Sequence, residues 1–212
     1  MKTRVLACDL ASGVSLAADL AAGVMKRGGL VVFPTDTYYG LGGNGLSRRV
    51  IRKVYSLKRR DASKPLLVLV SGQEMAEDLA ADIPGVFRRM ARKFWPGPLT
   101  IVLRAAPRVP AELGAGTGTI AMRCPAVPWL RELVRAAGFP VIATSANISG
   151  EAEIAAGGAA RKAFEGKVDL IVDGGETPGG PVSTVLDLAA PKPRIVREGA
   201  VPAAVLREAL GL

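Results

Sequence analysis

The chain has 212 residues, enough for one well-buried domain, because chains near this size bury roughly 70% of the surface they expose when unfolded. With 49% hydrophobic and 22% charged residues it has the balance of a globular protein, which excludes a disordered, collagenous or disulfide-dense chain. It contains no histidine, which excludes a histidine general base, a Ser-His-Asp or Cys-His nucleophile pair and any histidine-ligated metal. Cys8 and Cys124 are too few for an all-cysteine zinc site and lie far apart, which reads as free thiols in a reducing cytoplasm. Mean hydropathy is positive at +0.27. The apolar runs at 30–33 and 66–70 nevertheless fall far short of the roughly 18 residues that cross a bilayer, so no membrane association is expected. Lys2 and Arg4 precede apolar residues as in a secretory leader, but Asp9 and Asp19 interrupt any apolar core, so the start reads as mature sequence. Lysine and arginine number 28 against 19 acids, a net charge of +9 that predicts attraction to nucleotides or RNA.

In chain order, residues 14–27 read as a helix with Leu16, Leu20 and Val24 on one apolar face, ended by Gly28 and Gly29. A buried strand follows at 30–33, and Pro34 stops it. Residues 35–45, rich in hydroxyls and with four glycines, read as an irregular loop. A helix begins near Ser47, with Leu46, Val50, Val54 and Leu57 or Lys58 at helical spacing. Residues 48–60 hold seven cations and no acid, and those near the carboxyl end suit the helix dipole. A second strand is predicted at 66–70, then helices at 72–81 and 83–95. Pro96 and Pro98 fix the backbone around Gly97 and lead into a strand at 99–103. A loop at 104–118, a strand ending at Arg123, a helix at 126–137 and a strand running into Ser145 come next. A helix at 159–165, strands at 170–172, 184–188 and 194–196, and a helix at 202–210 complete the reading. Strands alternate with helices early and cluster late, which predicts a single α/β domain over 1–212 with a twisted mixed β-sheet flanked by helices. Thr35, Arg123, Ser145 and Arg197 each follow an apolar run, where open α/β sheets place ligands.

No Walker loop and no GxGxxG after a strand are present, so a nucleotide site needs another design. Lys58 and Arg60, at a helix end leading into a loop, either fan out around a phosphate chain or form a solvated basic end. Residues 144–150 either present hydroxyls, an amide and backbone N–H groups to an anion or cap a helix. Arg123 is either an edge-strand charge or the fork that holds a substrate carboxylate. Thr35, Asp36 and Thr37 lean towards a plain turn, and Ser183 and Thr184 suit a strand opening.

In order along the chain, FPTDTYYGLG at 33–42, KRR with KPL within 58–66, WPGPLT at 95–100, AMRCP at 121–125, TSANISG at 144–150, STVLD at 183–187 and IVREG at 195–199 resemble the YrdC-like family. Its members include threonylcarbamoyl-AMP synthases, and the matching stretches span about four fifths of this chain. The resemblance implies a YrdC-like fold with a concave basic cavity. It also implies a nucleotidyltransferase that makes threonylcarbamoyl-AMP and pyrophosphate from L-threonine, bicarbonate and ATP. That reaction is the first half of forming threonylcarbamoyl-adenosine in tRNA. Carried over by position, Lys58, Arg60, Ser145 and Asn147 resemble the catalytic tetrad around the ATP phosphates. Ala62, Thr119 and Arg197 resemble further ATP contacts. Thr35, Leu67, Arg123, Ala143 and Ser183 resemble the threonine pocket, with Arg123 on the carboxylate and Leu67 and Ala143 acting through backbone groups. The resemblance implies Mg2+ with the ATP, no protein-bound zinc, and downstream threonylcarbamoyl-transferase partners. Glu153 stands where many members carry serine, Asp61 stands where proline is common after KxR, and the chain ends without the added carboxyl-terminal domain of longer members. Two other readings of the residues are a non-catalytic double-stranded RNA or tRNA binding module and a relative that uses a carbamoyl donor.

Overall fold

The computed structural model describes residues 2–9 and 14–212. The first elements are β1 (Arg4–Ala7), α1 (Val14–Lys26), β2 (Val31–Phe33), β3 (Gly40–Gly42), α2 (Arg48–Lys58) and β4 (Leu67–Leu69). They are followed by α3 (Gln73–Leu79), α4 (Gly85–Phe94), β5 (Leu99–Arg104), β6 (Thr119–Arg123), α5 (Pro128–Ala137), β7 (Val141–Ile142) and β8 (Thr144–Ser145). The last are α6 (Gly157–Phe164), β9 (Leu170–Asp173), β10 (Thr184–Asp187), β11 (Arg194–Arg197) and α7 (Ala203–Leu210). The mixed α/β class is as expected, but the strands divide between two sheets where the sequence reading has one. One sheet runs β1-β9-β2-β3-β8 and the other β11-β10-β5-β6-β4-β7, and each mixes parallel and antiparallel pairs.

The division has a local cause at residues 141–145. β7 pairs antiparallel with β4 in the larger sheet, whereas β8, which begins two residues after β7 ends, pairs antiparallel with β3 in the smaller one. The chain thereby crosses from sheet to sheet. Ile142 N–H donates to Gly43 O at 2.9 Å, tying the two sheets backbone to backbone. A Cβ on Gly42 would stand 1.9 Å from Ile142 O, so only glycine allows this approach. The stretch read as an irregular loop at 35–45 therefore contains β3, a strand of small residues that pattern rules miss. β1 is likewise a strand that the sequence reading leaves unassigned, and the single strand it expects to run into Ser145 is divided between β7 and β8.

One helix departs from its expected face and a second keeps it. In α1 the buried residues are Ala17, Ala18, Ala21, Ala22, Val24 and Met25, while Leu16 is 66% exposed. The alanines let α1 approach α5 closely, where Trp129, Leu130, Leu133 and Val134 fill the space. In α2, Ser47 caps the start by accepting from Val50 N–H, and the buried stripe is Val50, Ile51, Val54 and Lys58. A lysine completes an apolar row, and Leu57 stays half-buried.

Lys58 is 1% exposed, so its ammonium must find acceptors inside the protein. Nζ donates to Ser145 O, to Asn147 O at 2.7 Å and to Asn147 Oδ1 at 3.0 Å. Burial, followed by the nearby Arg60 charge, pulls its pKa down to about 8, against an opposing pull from Glu153.

Gly42→Ala is expected to cost about 3 kcal/mol in denaturant unfolding, since backbone must move to admit the methyl. Gly158→Ala, in α6 with nothing within 4 Å of a new Cβ, is expected to stabilise by about 0.5–1 kcal/mol. Between about pH 8 and an ordinary lysine value of roughly 10.4, the unfolded chain keeps a proton that folded Lys58 has released. Unfolding free energy therefore rises with pH across that window, and Lys58→Met flattens the rise in stability curves. An unchanged slope would show that Lys58 titrates as an ordinary lysine.

Candidate functional site

A cavity of about 330 Å³ opens where the two sheets meet. Its walls come from the loop after β2, from β4, β5 and β6, from the crossing segment 143–145, and from the β10 and β11 strands. Of the residues singled out in the sequence, Thr35, Arg60, Leu67, Arg123, Ala143, Ser145, Ser183 and Arg197 all line it. The four strand-end positions, 35, 123, 145 and 197, converge on one site although they lie far apart in the chain.

The basic side is built from the end of α2. Arg59 adopts a left-handed turn with φ 49°, which ends the helix and sends the chain away from its axis. Arg60 is then held by its own loop, with Nε donating to Lys64 O at 3.2 Å and Nη2 to Pro65 O at 2.9 Å. Lys58 lies behind the wall, against Ser145 and Asn147. Ser145 Oγ donates to Asn147 Oδ1 at 2.7 Å, Asn147 Nδ2 donates to Glu151 O at 2.6 Å, and Ser149 N–H returns to Lys58 O at 3.0 Å. Of the two alternatives for this loop, the helix-capping one is realised, since it closes the α2 carboxyl end, and its oxygens surround the Lys58 cation. On the opposite strand pair, Arg197 gives Nε and Nη2 to Ser183 O at 3.2 and 2.7 Å. Thr184 Oγ1 donates to Val201 O and accepts from Gly199 and Val201 N–H, which fixes the turn after β11.

The deep side holds Arg123, which is 7% exposed. Its Nε donates to Gly97 O at 2.9 Å and its Nη2 to Asp36 Oδ2. Gly97 is presented by the Trp-Pro-Gly-Pro turn, whose own N–H reaches Cys124 O at 2.9 Å. Thr35 Oγ1 donates to Tyr38 O at 2.6 Å and accepts from Thr37 N–H, and Ser183 Oγ pairs with Thr100 Oγ1 at 2.8 Å. Leu67, Leu69, Ala121, Pro125 and Leu130 supply apolar wall between these groups.

Four expected ATP contacts fall outside the cavity lining: Lys58 and Asn147, which stand behind it, and Ala62 and Thr119. Ala62 is exposed in a turn stabilised by Asp61, whose carboxylate accepts from Ser63 N–H. Thr119 starts β6 and shares a hydroxyl bond with Thr117 at 2.7 Å, at the opposite end of that strand from Arg123. The backbone groups expected from Leu67 and Ala143 are partly spent on each other, since Ala143 N–H donates to Leu67 O at 3.0 Å. Sequence reasoning also missed two partners. Thr100, read only as strand, holds Ser183, and Asp36, read as turn chemistry, holds Arg123. A lone carboxylate amid hydroxyls in a chain of +9 charge was the available signal for Asp36.

Such a cavity offers two arginines, Arg60 and Arg197, at one end and the Arg123 guanidinium fork at the other, and among the described residues no cluster of three or more His, Cys, Asp or Glu stands ready to cage a metal ion. Residues 23–199 match the sequence signature of the Sua5, YciO and YrdC proteins, described as "Telomere recombination". A curated threonylcarbamoyl-AMP synthase of Pyrococcus abyssi is 38% identical over 91% of this chain and 56% of its own length. A putative threonylcarbamoyl-AMP synthase of Mycobacterium tuberculosis is 36% identical over 91% of this chain and 88% of its own length. The crystal structure of P. abyssi Sua5 complexed with L-threonine superimposes with a TM-score of 0.90 at 35% identity, over 100% of this chain and 61% of that one. The chain therefore spans little more than half the length of that archaeal relative. The signature covers most of the chain and the superposition all of it, and the chain belongs to the Sua5/YciO/YrdC family.

Proposed function

We propose that the protein is a threonylcarbamoyl-AMP synthase, which joins L-threonine, bicarbonate and ATP and releases pyrophosphate. The observation that carries this reading is one cavity lined by Arg60 and Arg197 at one end and by the Arg123 guanidinium at the other, with the Lys58 ammonium packed behind Ser145 in its wall. The relatives' names and the threonine complex of the P. abyssi protein support the same substrates. Threonine sits with its carboxylate on Arg123 and its hydroxyl among Thr35 and Ser183. Its amine, once deprotonated, forms a C–N bond to the carbon of bicarbonate as a C–O bond breaks and water leaves, and an oxygen of the resulting carbamate attacks the α-phosphorus as the bond to pyrophosphate breaks. The attacking oxygen is already anionic, so the step needs positioning and positive charge in place of a strong base. That requirement suits a chain without histidine. Arg60 and Ser145 meet the reacting phosphates from the cavity wall, Lys58 and Asn147 stand behind them and add charge and support, and Arg197 adds charge from the facing strand. Mg2+ enters as the counter-ion of the triphosphate substrate. The product is consumed by a threonylcarbamoyl transferase acting on tRNA, in the cytoplasm.

The deciding measurement is pyrophosphate release from Mg-ATP and bicarbonate with threonine, serine, alanine or no amino acid, with mass detection of the adenylate. Threonine-dependent release of the matching adduct is expected, with serine accepted at an efficiency roughly 10–200-fold lower, the value of one methyl in a pocket. ATP binding without any threonine-dependent product would overturn the reading in favour of an RNA-binding module, whose affinity for duplex RNA falls steeply with salt.

Lys58→Ala is expected to lower turnover about 100-fold or more, as loss of a preorganised charge-stabilising donor does. Arg123→Ala is expected to raise the threonine KM with little change in ATP binding. Loss of ATP binding alone in Arg123→Ala would mean that the two ends are reversed.

A further inference from the structure

We infer that Asp36 makes the Arg123 end of the cavity selective for a zwitterion, a ligand that brings a cationic amine together with its carboxylate. The inference rests on the reading of that end as the amino-acid pocket. Arg123 spends one edge of its guanidinium on Gly97 O through Nε and on Asp36 Oδ2 through Nη2. No hydrogen bond to the described residues engages its Nη1, and the residue lines the cavity. A carboxylate therefore still finds an end-on fork. Asp36 also lines the cavity, with its side chain 26% exposed, and its Oδ1 is buried without a hydrogen-bond partner. Its charge is thus answered by one cation and by little else.

The surroundings make that charge felt. Leu67, Leu69, Ala121, Pro125 and Leu130 wall this end, so the field of the pair is weakly screened. A guanidinium standing alone there would capture any anion, including the phosphates that belong at Arg60 and Arg197. Beside Asp36 the same guanidinium presents a dipole of no net charge. A simple anion gains at Arg123 and loses to repulsion from Asp36, while an ammonium beside the ligand's carboxylate turns that repulsion into attraction. Asp36 thereby both positions Arg123 and separates amino acids from phosphates inside one cavity.

The test measures dissociation constants of L-threonine and of its α-hydroxy analogue, 2,3-dihydroxybutanoate, by calorimetry on the intact chain. Wild type is expected to prefer threonine by about 10-fold or more, and Asp36→Asn to lose most of that preference by binding the hydroxy acid more tightly relative to threonine. Equal weakening of both ligands in Asp36→Asn would leave Asp36 as a support for Arg123 only and overturn the inference while the threonine reading stands. Binding of neither ligand to folded wild type would overturn the threonine reading itself. A second variant probes the same field without altering Asp36. Arg123→Gln should shift relative affinity from threonine towards 1-aminopropan-2-ol, the amine lacking the carboxylate, and an amine that binds Arg123→Gln no better than wild type would also overturn the inference.

Discussion

A single ammonium organises the centre of this protein. Lys58 ends an otherwise apolar helical row at 1% exposure, and a buried cation is tolerated only with its hydrogen bonds filled. Three oxygens from Ser145 and Asn147 fill them, so the loop that follows β8 must wrap the end of α2. That loop is the continuation of the segment that crosses from the larger sheet to the smaller. Fixing it fixes where both sheets face the cavity. The buried charge that stands behind the phosphate end in the proposed reaction is in this sense also the charge that shapes the binding site.

The chemistry follows from how charge is distributed across a small space. Arg60 and Arg197 come from opposite walls and are each held by backbone carbonyls, so their positions are set without neutralising them. Arg123, deeper and flanked by leucines, is held by a carbonyl and by a carboxylate. In the proposed reaction the cations at one end take the triphosphate and the neutralised pair at the other takes the amino acid, so the two are not exchanged. Reaction then depends on proximity and field, the two resources that a protein lacking histidine has in full.

Much of this was legible in the sequence where side chains carry the signal. The amphipathic pattern of 46–58, the Pro-Gly punctuation at 95–98 and the polar strand ends at 35, 123, 145 and 197 all point to real features. The failures share one cause, which is that small residues are informative only through their neighbours. The alanines of α1 bury the face opposite to Leu16 because α5 supplies the bulk, and no feature of residues 14–26 shows α5. β3 is glycine-rich because Ile142 passes against it, a contact between positions 100 residues apart. Asp36 reads as a turn residue until Arg123 arrives beside it. Ala62 and Thr119 follow the motif in sequence but not the cavity in space, because one sits in an exposed turn and the other at the far end of its strand.

The order of strands in the smaller sheet bears on how the protein is made. β9 lies between β1 and β2, with Leu170 paired to both Arg4 and Val31. During synthesis the first two strands therefore have no partner between them until residue 170 and its neighbours leave the ribosome. The α1 face waits for α5, and β2 waits longer for β9, and long-range pairing of this kind is slow and exposed to aggregation. Ser183 and Arg197 emerge later still, so the nascent chain lacks its complete cavity until they too have left the ribosome. A ribosome that stalls before then leaves a fragment with most of the helices, an unfinished sheet and no assembled site, a species that chaperones and proteases rather than substrates will meet.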